Sequence, residues 1–349
     1  MSANALPPLA KRDLDLILNG TRELWEQARG QRIFITGGTG FFGCWLVESF
    51  CHISRELRLG AQAMVLTRDA TRFAAKCPHL ASDPAVTLYA GDVRSFDFPE
   101  GEFQFAVHAA TQSTAPQTSD EMLSTIVDGT RRVLEFARTH RTKRFLFTSS
   151  GAVYGKQPPD ISHLPESYLP QQEAIATDAY AKGKLRAETL CAEMTGGTEV
   201  EAAIARCWAF CGPHLALDAH FAVGNFIGDA IAGRPIAISG DGTPRRSYLY
   251  AADLAVWLWT MLFRAPALVP MNVGSAHDVS IRELAETVMR TLSPGEHIHV
   301  AKQPAPGAPI SRYVPDVNRA GELLSLRETV GLEEQIRRTA EWHGFTPRV

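Results

Sequence analysis

The chain has 349 residues, is 45% hydrophobic and carries a formal charge of −3 at neutral pH. That length supports a large domain with a smaller appendage and a sizeable core, and the near-neutral balance gives no reason to expect nucleic acid or an anionic membrane surface as partner. No apolar run approaches the ~20 residues that span a bilayer, and the start "MSANALPPLAKRDLDL" lacks the apolar segment of a signal peptide, so a cytoplasmic protein is expected. Cys44, Cys51, Cys77, Cys191, Cys207 and Cys211 are scattered without metal-ligand spacing, which points to reduced buried thiols and no metal site.

In chain order, "KRDLDLILNGTRELWEQAR" spaces Leu14, Ile17, Leu18, Leu24 and Trp25 at helical intervals. "RIFITGG" then reads as a short strand ending in glycines, "FFGCWLVESFCHISREL" as a helix and "QAMVLTRD" as a second strand. "VTLYAGDV", "FAVHAAT" and "RFLFTSS" are further apolar runs of strand length, with the helical stretch "LSTIVDGTRRVLEFARTH" between the last two. "EAAIARCWAF" continues the series. Alternating helices and strands that are apolar throughout predict an α/β fold, a doubly wound parallel sheet. Beyond it the alternation loosens, with helices at "VSIRELAETVMRTL" and "LEEQIRRTAEWHG". The expected division is a helical extension at 1–30, a dinucleotide-binding domain at 31–185 with its sheet running to about 212, and a stretch over 213–349 that is mostly a smaller lobe.

"ITGGTGFFG" places Gly37, Gly40 and Gly43 between the first strand and a helix. Such a turn lets backbone amides approach a diphosphate at the positive end of the helix. An acid at the tip of strand two would bond a free ribose 2′-hydroxyl; this chain has Thr67 and Arg68 there, with Asp69 one step late. Arg68 leans the expectation toward NADP by facing a 2′-phosphate, and stacking on adenine keeps NAD open. Asp92 in "AGDV" is read either as a contact to the adenine amino group or as a turn cap. Downstream, Tyr180 and Lys184 lie one helical turn apart in "DAYAKGKLRAE". A nearby ammonium is expected to acidify the phenol, so that Tyr180 accepts a proton from a substrate hydroxyl while Ser150 orients the substrate oxygen.

The set "TGGTGFFG", "GDV", "HAA", "TSSGAVYG", "YAKGK", "GDGTPRRSYLYAADLA" and "NVGS" resembles the extended short-chain dehydrogenase/reductase family, and within it the nucleotide-sugar epimerases and dehydratases. The resemblance implies a Rossmann domain with a smaller C-terminal substrate-binding lobe, catalytic roles for Ser150, Tyr180 and Lys184, and an NAD or NADP cofactor. It implies cofactor contacts from Gly37, Gly40, Phe41, Phe42, Gly43, Thr67, Arg68, Asp92, Val93, Ala109, Ala110 and Thr111 besides Tyr180 and Lys184. Residues 1–30 fall outside it. The family's chemistry is oxidation of a sugar hydroxyl to a ketone, often followed by hydride return. Its dehydratases carry an Asp-Glu pair after the Ser/Thr and its decarboxylases a Glu before "VYG"; here Gly151 and Ala152 stand in those places. A nucleotide-sugar 4-epimerase is therefore expected, with a 4-ketoreductase consuming NADPH as the rival. A sensor or scaffold that only binds NAD(P) has no need of all three catalytic side chains.

On the substrate side the family's Asn is replaced by Ala209 and its "RxGD" pair by the uncharged "PAPGAP". Arg246 matches a diphosphate-binding arginine of the family, and Ser150, Asn225 and Arg312 join it as candidate substrate contacts. Glu166 stands at a substrate-loop position, and His108 is expected to close a strand. The family resemblance further implies a homodimer paired through the helix at 124–140 and the helix carrying Tyr180.

Overall fold

The computed structural model describes residues 5–111, 118–169, 178–219, 221–292 and 297–346. The elements run α1 (Lys11–Thr21), β1 (Arg32–Thr36), α2 (Phe41–Glu56), β2 (Gln62–Thr67), α3 (Ala70–Lys76), α4 (Pro78–Ala81), β3 (Val86–Ala90), β4 (Phe105–His108), α5 (Ser119–Thr139), β5 (Arg144–Ser150), α6 (Ala179–Thr195) and β6 (Glu201–Cys207). They continue with β7 (Phe210–Cys211), α7 (Ala222–Ile231), β8 (Ile236–Ile238), β9 (Arg245–Ser247), β10 (Leu249–Tyr250), α8 (Ala251–Arg264), β11 (Pro270–Val273), β12 (Asp278–Ser280), α9 (Ile281–Leu292), β13 (Ile298–Val300), β14 (Arg312–Tyr313), α10 (Asn318–Leu324) and α11 (Leu332–Trp342).

The main sheet has the order β11-β6-β5-β4-β1-β2-β3, and from β6 to β3 each neighbouring pair is parallel. This is the doubly wound architecture read from the alternation. The chain reverses direction of winding between β1 and β4, and ligands of such sheets bind outside the strand ends at that point. Ile33, Phe34 and Ile35 of β1 are wholly buried. Phe34 anchors an aromatic cluster, with ring centres 4.2 Å from Phe136 and 5.3 Å from Phe96. A capping box, Thr118 with Glu121, starts α5. Gly183 then lets α6 approach α5, because a Cβ there would stand 3.0 Å from the Ile126 Cδ1 atom.

Two compact units emerge. The first comprises the chain up to Gly155, Leu169–Cys207 and Ala255–Met271; the second comprises Lys156–Tyr168, Trp208–Leu254 and Asn272 onward. Within 213–349, expected to be mostly the smaller lobe, most of α8 groups with the first unit. The cause is its apolar character, since Trp257, Leu258, Trp259, Met261 and Leu262 are all buried. Trp259 donates its indole N–H to Ser49 Oγ at 2.9 Å and meets Trp25 edge-on at 4.8 Å. Trp25 belongs to the N-terminal extension, which is an integral layer of that unit. Leu9 N–H also ties the extension to Glu48 Oε1 at 2.7 Å. In the second unit, β12-β9-β14 form a small sheet, and α9 packs against α7 and α11. Among the described residues no helix is long and apolar enough to cross a membrane.

Candidate active site

At two positions of the turn from β1 into α2 nothing but glycine fits. Gly37 has φ +74°, and a Cβ on it would sit 2.4 Å from the Ala109 carbonyl; a Cβ on Gly43 would sit 2.2 Å from the Gly37 oxygen. Gly40, in contrast, is the N-cap of α2 without any side-chain cap, and a Cβ there would meet nothing nearer than 3.5 Å. The turn is therefore closed toward the β4 tip and open on its outer side, where the positive end of a 16-residue helix begins. That donor set fits the diphosphate of a dinucleotide. Phe41 and Phe42 are half-buried beside it, their ring centres 5.8 Å apart.

At the β2 tip, Thr67 is buried and Arg68 exposed, while Asp69 caps α3 by accepting from Arg72 N–H at 2.8 Å. Asp92 is engaged locally. Its carboxylate receives both Nε and Nη2 of Arg94, at 2.8 and 3.0 Å, and the Arg94 amide as well. The Arg94 side chain holds its pKa below the usual carboxylate range. Of the two sequence readings of Asp92, the turn cap is the one the bonds describe. Val93 is buried, and a Cβ on Gly129 would stand 2.9 Å from its Cγ1.

The candidate catalytic side chains meet where β5 ends and α6 begins. Asp178 caps α6, accepting from the amides of Tyr180 and Ala181 at 2.9 and 3.1 Å, and so fixes the turn that carries the phenol. Ser150 Oγ accepts from Ala152 N–H at 3.2 Å, which leaves its own proton available for an oxygen in the site. Lys184 is fully buried and donates to Thr111 Oγ1 and to the Thr148 carbonyl, each at 2.7 Å. Ser150, Tyr180, Lys184 and Thr111 are thus brought together, with Ala109 and Ala110 half-buried at the same strand end.

One expectation is corrected here. Lys184 was expected to acidify Tyr180, yet its ammonium sits 5.8 Å from the centre of the Tyr180 ring and spends its protons on the strand ends. Burial pushes the phenol up to about 12, with the neighbouring Ser150 hydroxyl acting in the opposite direction. Burial also brings Lys184 down to about 8.

Sequence reasoning passed over Glu188 and Arg206, a buried ion pair beside this cluster. The signal available was the spacing Lys184 to Glu188, one further turn along the same helix face. His108 closes β4 as expected, its Nδ1 2.7 Å from Thr36 Oγ1 and its Nε2 3.0 Å from Thr130 Oγ1.

The substrate candidates Asn225, Arg246 and Arg312 lie in the second unit. Arg246 Nη1 donates to the Arg245 carbonyl at 2.7 Å. Arg312 is in register with Arg245 and Tyr313 with Arg246, so strand alternation puts the two candidate arginines on opposite faces. Arg312 bonds Asp278 at 3.0 Å, and Arg245 bonds the same carboxylate. Asn225 is half-buried on α7. Glu166 is a support, accepting from the Asn272 amide at 2.8 Å with its side chain 4% exposed.

Residues 33–274 match the model of the NAD dependent epimerase/dehydratase family. The chain is 30% identical over 312 residues to UDP-glucuronic acid decarboxylase 1 of Arabidopsis thaliana, covering 88% of this chain and 68% of that protein. Among solved structures, it superposes on a UDP-glucuronic acid 4-epimerase from Bacillus cereus in complex with NAD with a TM-score of 0.74, at 19% identity, over 89% of this chain and 98% of that one. A UDP-glucose 4-epimerase of Thermotoga maritima gives a TM-score of 0.73, again at 19% identity, over 90% and 99% of the two chains. At that identity the structural likeness speaks for the fold, while the sequence match reaches from the glycine turn through Tyr180 to Arg246. The chain belongs to the NAD dependent epimerase/dehydratase family of nucleotide-sugar enzymes.

Proposed function

We propose that the chain is a nucleotide-sugar 4-epimerase that oxidises the C4 carbinol and returns hydride to the other face. The observation that carries this reading is the grouping of Ser150, Tyr180 and Lys184 where β5 ends and α6 begins, with Gly151 and Ala152, neither of them an acid, in the turn that follows Ser150. The glycine turn and the N-terminal amides of α2 hold the cofactor diphosphate, and Lys184 holds the nicotinamide ribose. When bound, NAD or NADP supplies the hydride acceptor. Ser150, its oxygen tethered by the Ala152 amide, donates toward Tyr180 and favours the phenolate. The Tyr180 oxygen then takes the proton of the sugar hydroxyl as the carbon loses hydride, and gives it back on return. Arg246 binds the substrate diphosphate. The six free, buried cysteines agree with a reducing cytoplasm, and α5 with α6 forms the face of a homodimer.

A second reading is decarboxylation of a nucleotide hexuronate, favoured by the 30% identity to a UDP-glucuronic acid decarboxylase. Its first half is the same oxidation, because a ketone at C4 lies β to the C6 carboxylate. The product then needs a proton at C5, and Ala152 offers no group for that transfer.

UDP-glucose and UDP-glucuronic acid, supplied with NAD+ and followed by NMR, separate the readings. Epimerisation gives a C4-inverted product with every carbon retained and no net change in cofactor. A UDP-pentose with release of carbon dioxide would replace the first reading by the second, and stoichiometric NADPH consumption with a 4-keto sugar would make the chain a reductase.

A further inference from the structure

The chemistry above uses Ser150, Tyr180 and Lys184 and leaves the ion pair beside them without a task. Glu188 follows Lys184 by one turn of α6, with its side chain 7% exposed; Arg206, near the end of β6, is 12% exposed. They are joined twice, Nε to Oε1 at 3.0 Å and Nη2 to Oε2 at 2.7 Å. Burial disfavours the Arg206 charge, the Glu188 contacts outweigh it, and the guanidinium pKa is raised. A buried pair of this kind adds little stability over apolar side chains of the same volume. Its role has to be sought in what it holds.

It holds the chain on both sides of Ser150. Ser149, in register with Arg206 across β5 and β6, donates its hydroxyl to Glu188 Oε1 at 2.5 Å. Tyr154 ends the short turn Gly151–Tyr154 that follows Ser150 and is itself buried. The Arg206 guanidinium lies over its ring, 4.7 Å from the centre. The residue before Ser150 and the last residue of the turn after it therefore end on the same ion pair. That turn also contains the Ala152 amide that fixes the Ser150 oxygen.

We propose that Glu188 is a positioning residue, which through Arg206, Ser149 and Tyr154 clamps both flanks of Ser150 and so aims its hydroxyl at Tyr180. The inference rests on the roles given to Ser150 and Tyr180 above. Glu188 touches neither substrate nor cofactor; it acts through the backbone of the strand end. Small errors there matter, since a misplacement of about 1 Å can cost about 100-fold in rate.

Two substitutions test it. Ser149→Ala removes one tether and leaves no buried donor without a partner, and Glu188→Gln keeps the shape while breaking the doubly bonded pair. Activity is read on whichever of UDP-glucose, UDP-glucuronic acid or dTDP-glucose the unsubstituted enzyme converts fastest, below the melting temperature of each variant. Each substitution is expected to lower kcat by about tenfold or more with KM inside about twofold. NAD+ affinity, followed by tryptophan fluorescence, stays unchanged. The double variant loses little more than Glu188→Gln alone, because both changes act through one clamp. If Ser149→Ala keeps the full kcat, the inference is overturned and the pair only braces the fold; that variant decides alone should Glu188→Gln fail to fold. Tyr180→Phe separates the two levels. Inactive Tyr180→Phe beside fully active Ser149→Ala removes this inference only, whereas an active Tyr180→Phe, or a chain that converts none of the three sugars, removes the reading beneath it.

Discussion

Two clusters of arginine and carboxylate, one in each unit, do different things with the same charges. In the first unit Glu188 and Arg206 are almost wholly enclosed and bonded in a fork, and the backbone they hold carries Ser150. In the second, Arg245, Arg312 and Asp278 keep 26%, 21% and 18% of their side-chain surface exposed; both arginines meet Asp278, and Arg245 also reaches Glu283 at 3.4 Å. Arg246 stands on the opposite face of that small sheet and makes no ion pair among the described residues. The difference is between charge enclosed and committed to geometry and, on the proposed reading, charge at Arg246 that meets a ligand. Loss of a committed group disturbs the chemical step, while loss of a spare cation weakens binding.

The sharpest way to break this contrast is at Tyr180. Tyr180→Phe removes one oxygen and leaves the ring packed against α5 and the core. We expect kcat to fall by about 10²–10⁴, with NAD+ affinity retained in a fluorescence titration. A loss expressed in KM instead would move the first unit's site into the binding class and end the contrast.

A smaller effect is expected at the second cluster. Arg246→Ala should raise KM for the nucleotide sugar by about tenfold, the worth of a charged hydrogen bond to phosphate, and leave kcat near the unsubstituted value. Arg312→Ala should change KM by less than about threefold, because Arg312 is committed to Asp278 on the face opposite Arg246, and Asp278 keeps Arg245 when Arg312 is lost. Steady-state kinetics on the two variants side by side checks this. Equal penalties would mean that the face assigned by the β9–β14 register does not decide which arginine meets the substrate.

The contrast also explains what was legible in the sequence. The glycine turn was readable because its geometry is written in consecutive residues: Gly37 needs its positive φ and Gly43 its missing Cβ within one strand-to-helix step. Tyr180 and Lys184 were readable because both belong to one turn of one helix. The family relationship followed from those same motifs. Glu188 was passed over although its spacing was visible, since its meaning depends on Ser149 and Arg206, and only the parallel register of β5 and β6 makes those two neighbours. Arg312 was grouped with Arg246 because a sequence does not reveal that β14 pairs with β9 one residue out of phase for that purpose. The return of α8 to the first unit was missed for a related reason: an apolar helix shows that it is buried without showing against what. The pKa argument for Tyr180 assumed proximity to Lys184, and burial decided the direction instead.

The smallest predicted effect concerns His108, whose ring belongs wholly to the first unit's committed class. Thr130 Oγ1 already donates to the Ile126 carbonyl at 2.6 Å, so the imidazole must donate from Nε2 to Thr130 and accept at Nδ1 from Thr36. That arrangement suits the neutral ring. Burial first, and the Lys184 charge second, bring its pKa from 6.5 down to about 3. Between those values the unfolded chain binds a proton that the folded chain does not, so stability falls as the pH drops below 6.5. The slope from this one group approaches about 1.4 kcal/mol per pH unit. His79, raised by Glu48, works in the opposite sense, which is why the difference between two proteins is the informative quantity. His108→Gln should be less stable than the unsubstituted chain at neutral pH. In urea melts, the gap should narrow steadily as the pH falls from 6.5 toward about 5, a window above most carboxylate titrations. A gap that stays constant would mean that the folded protein protonates this ring at ordinary pH, and that the strand tip beside the candidate active site tolerates a charge its hydrogen bonds were built to exclude.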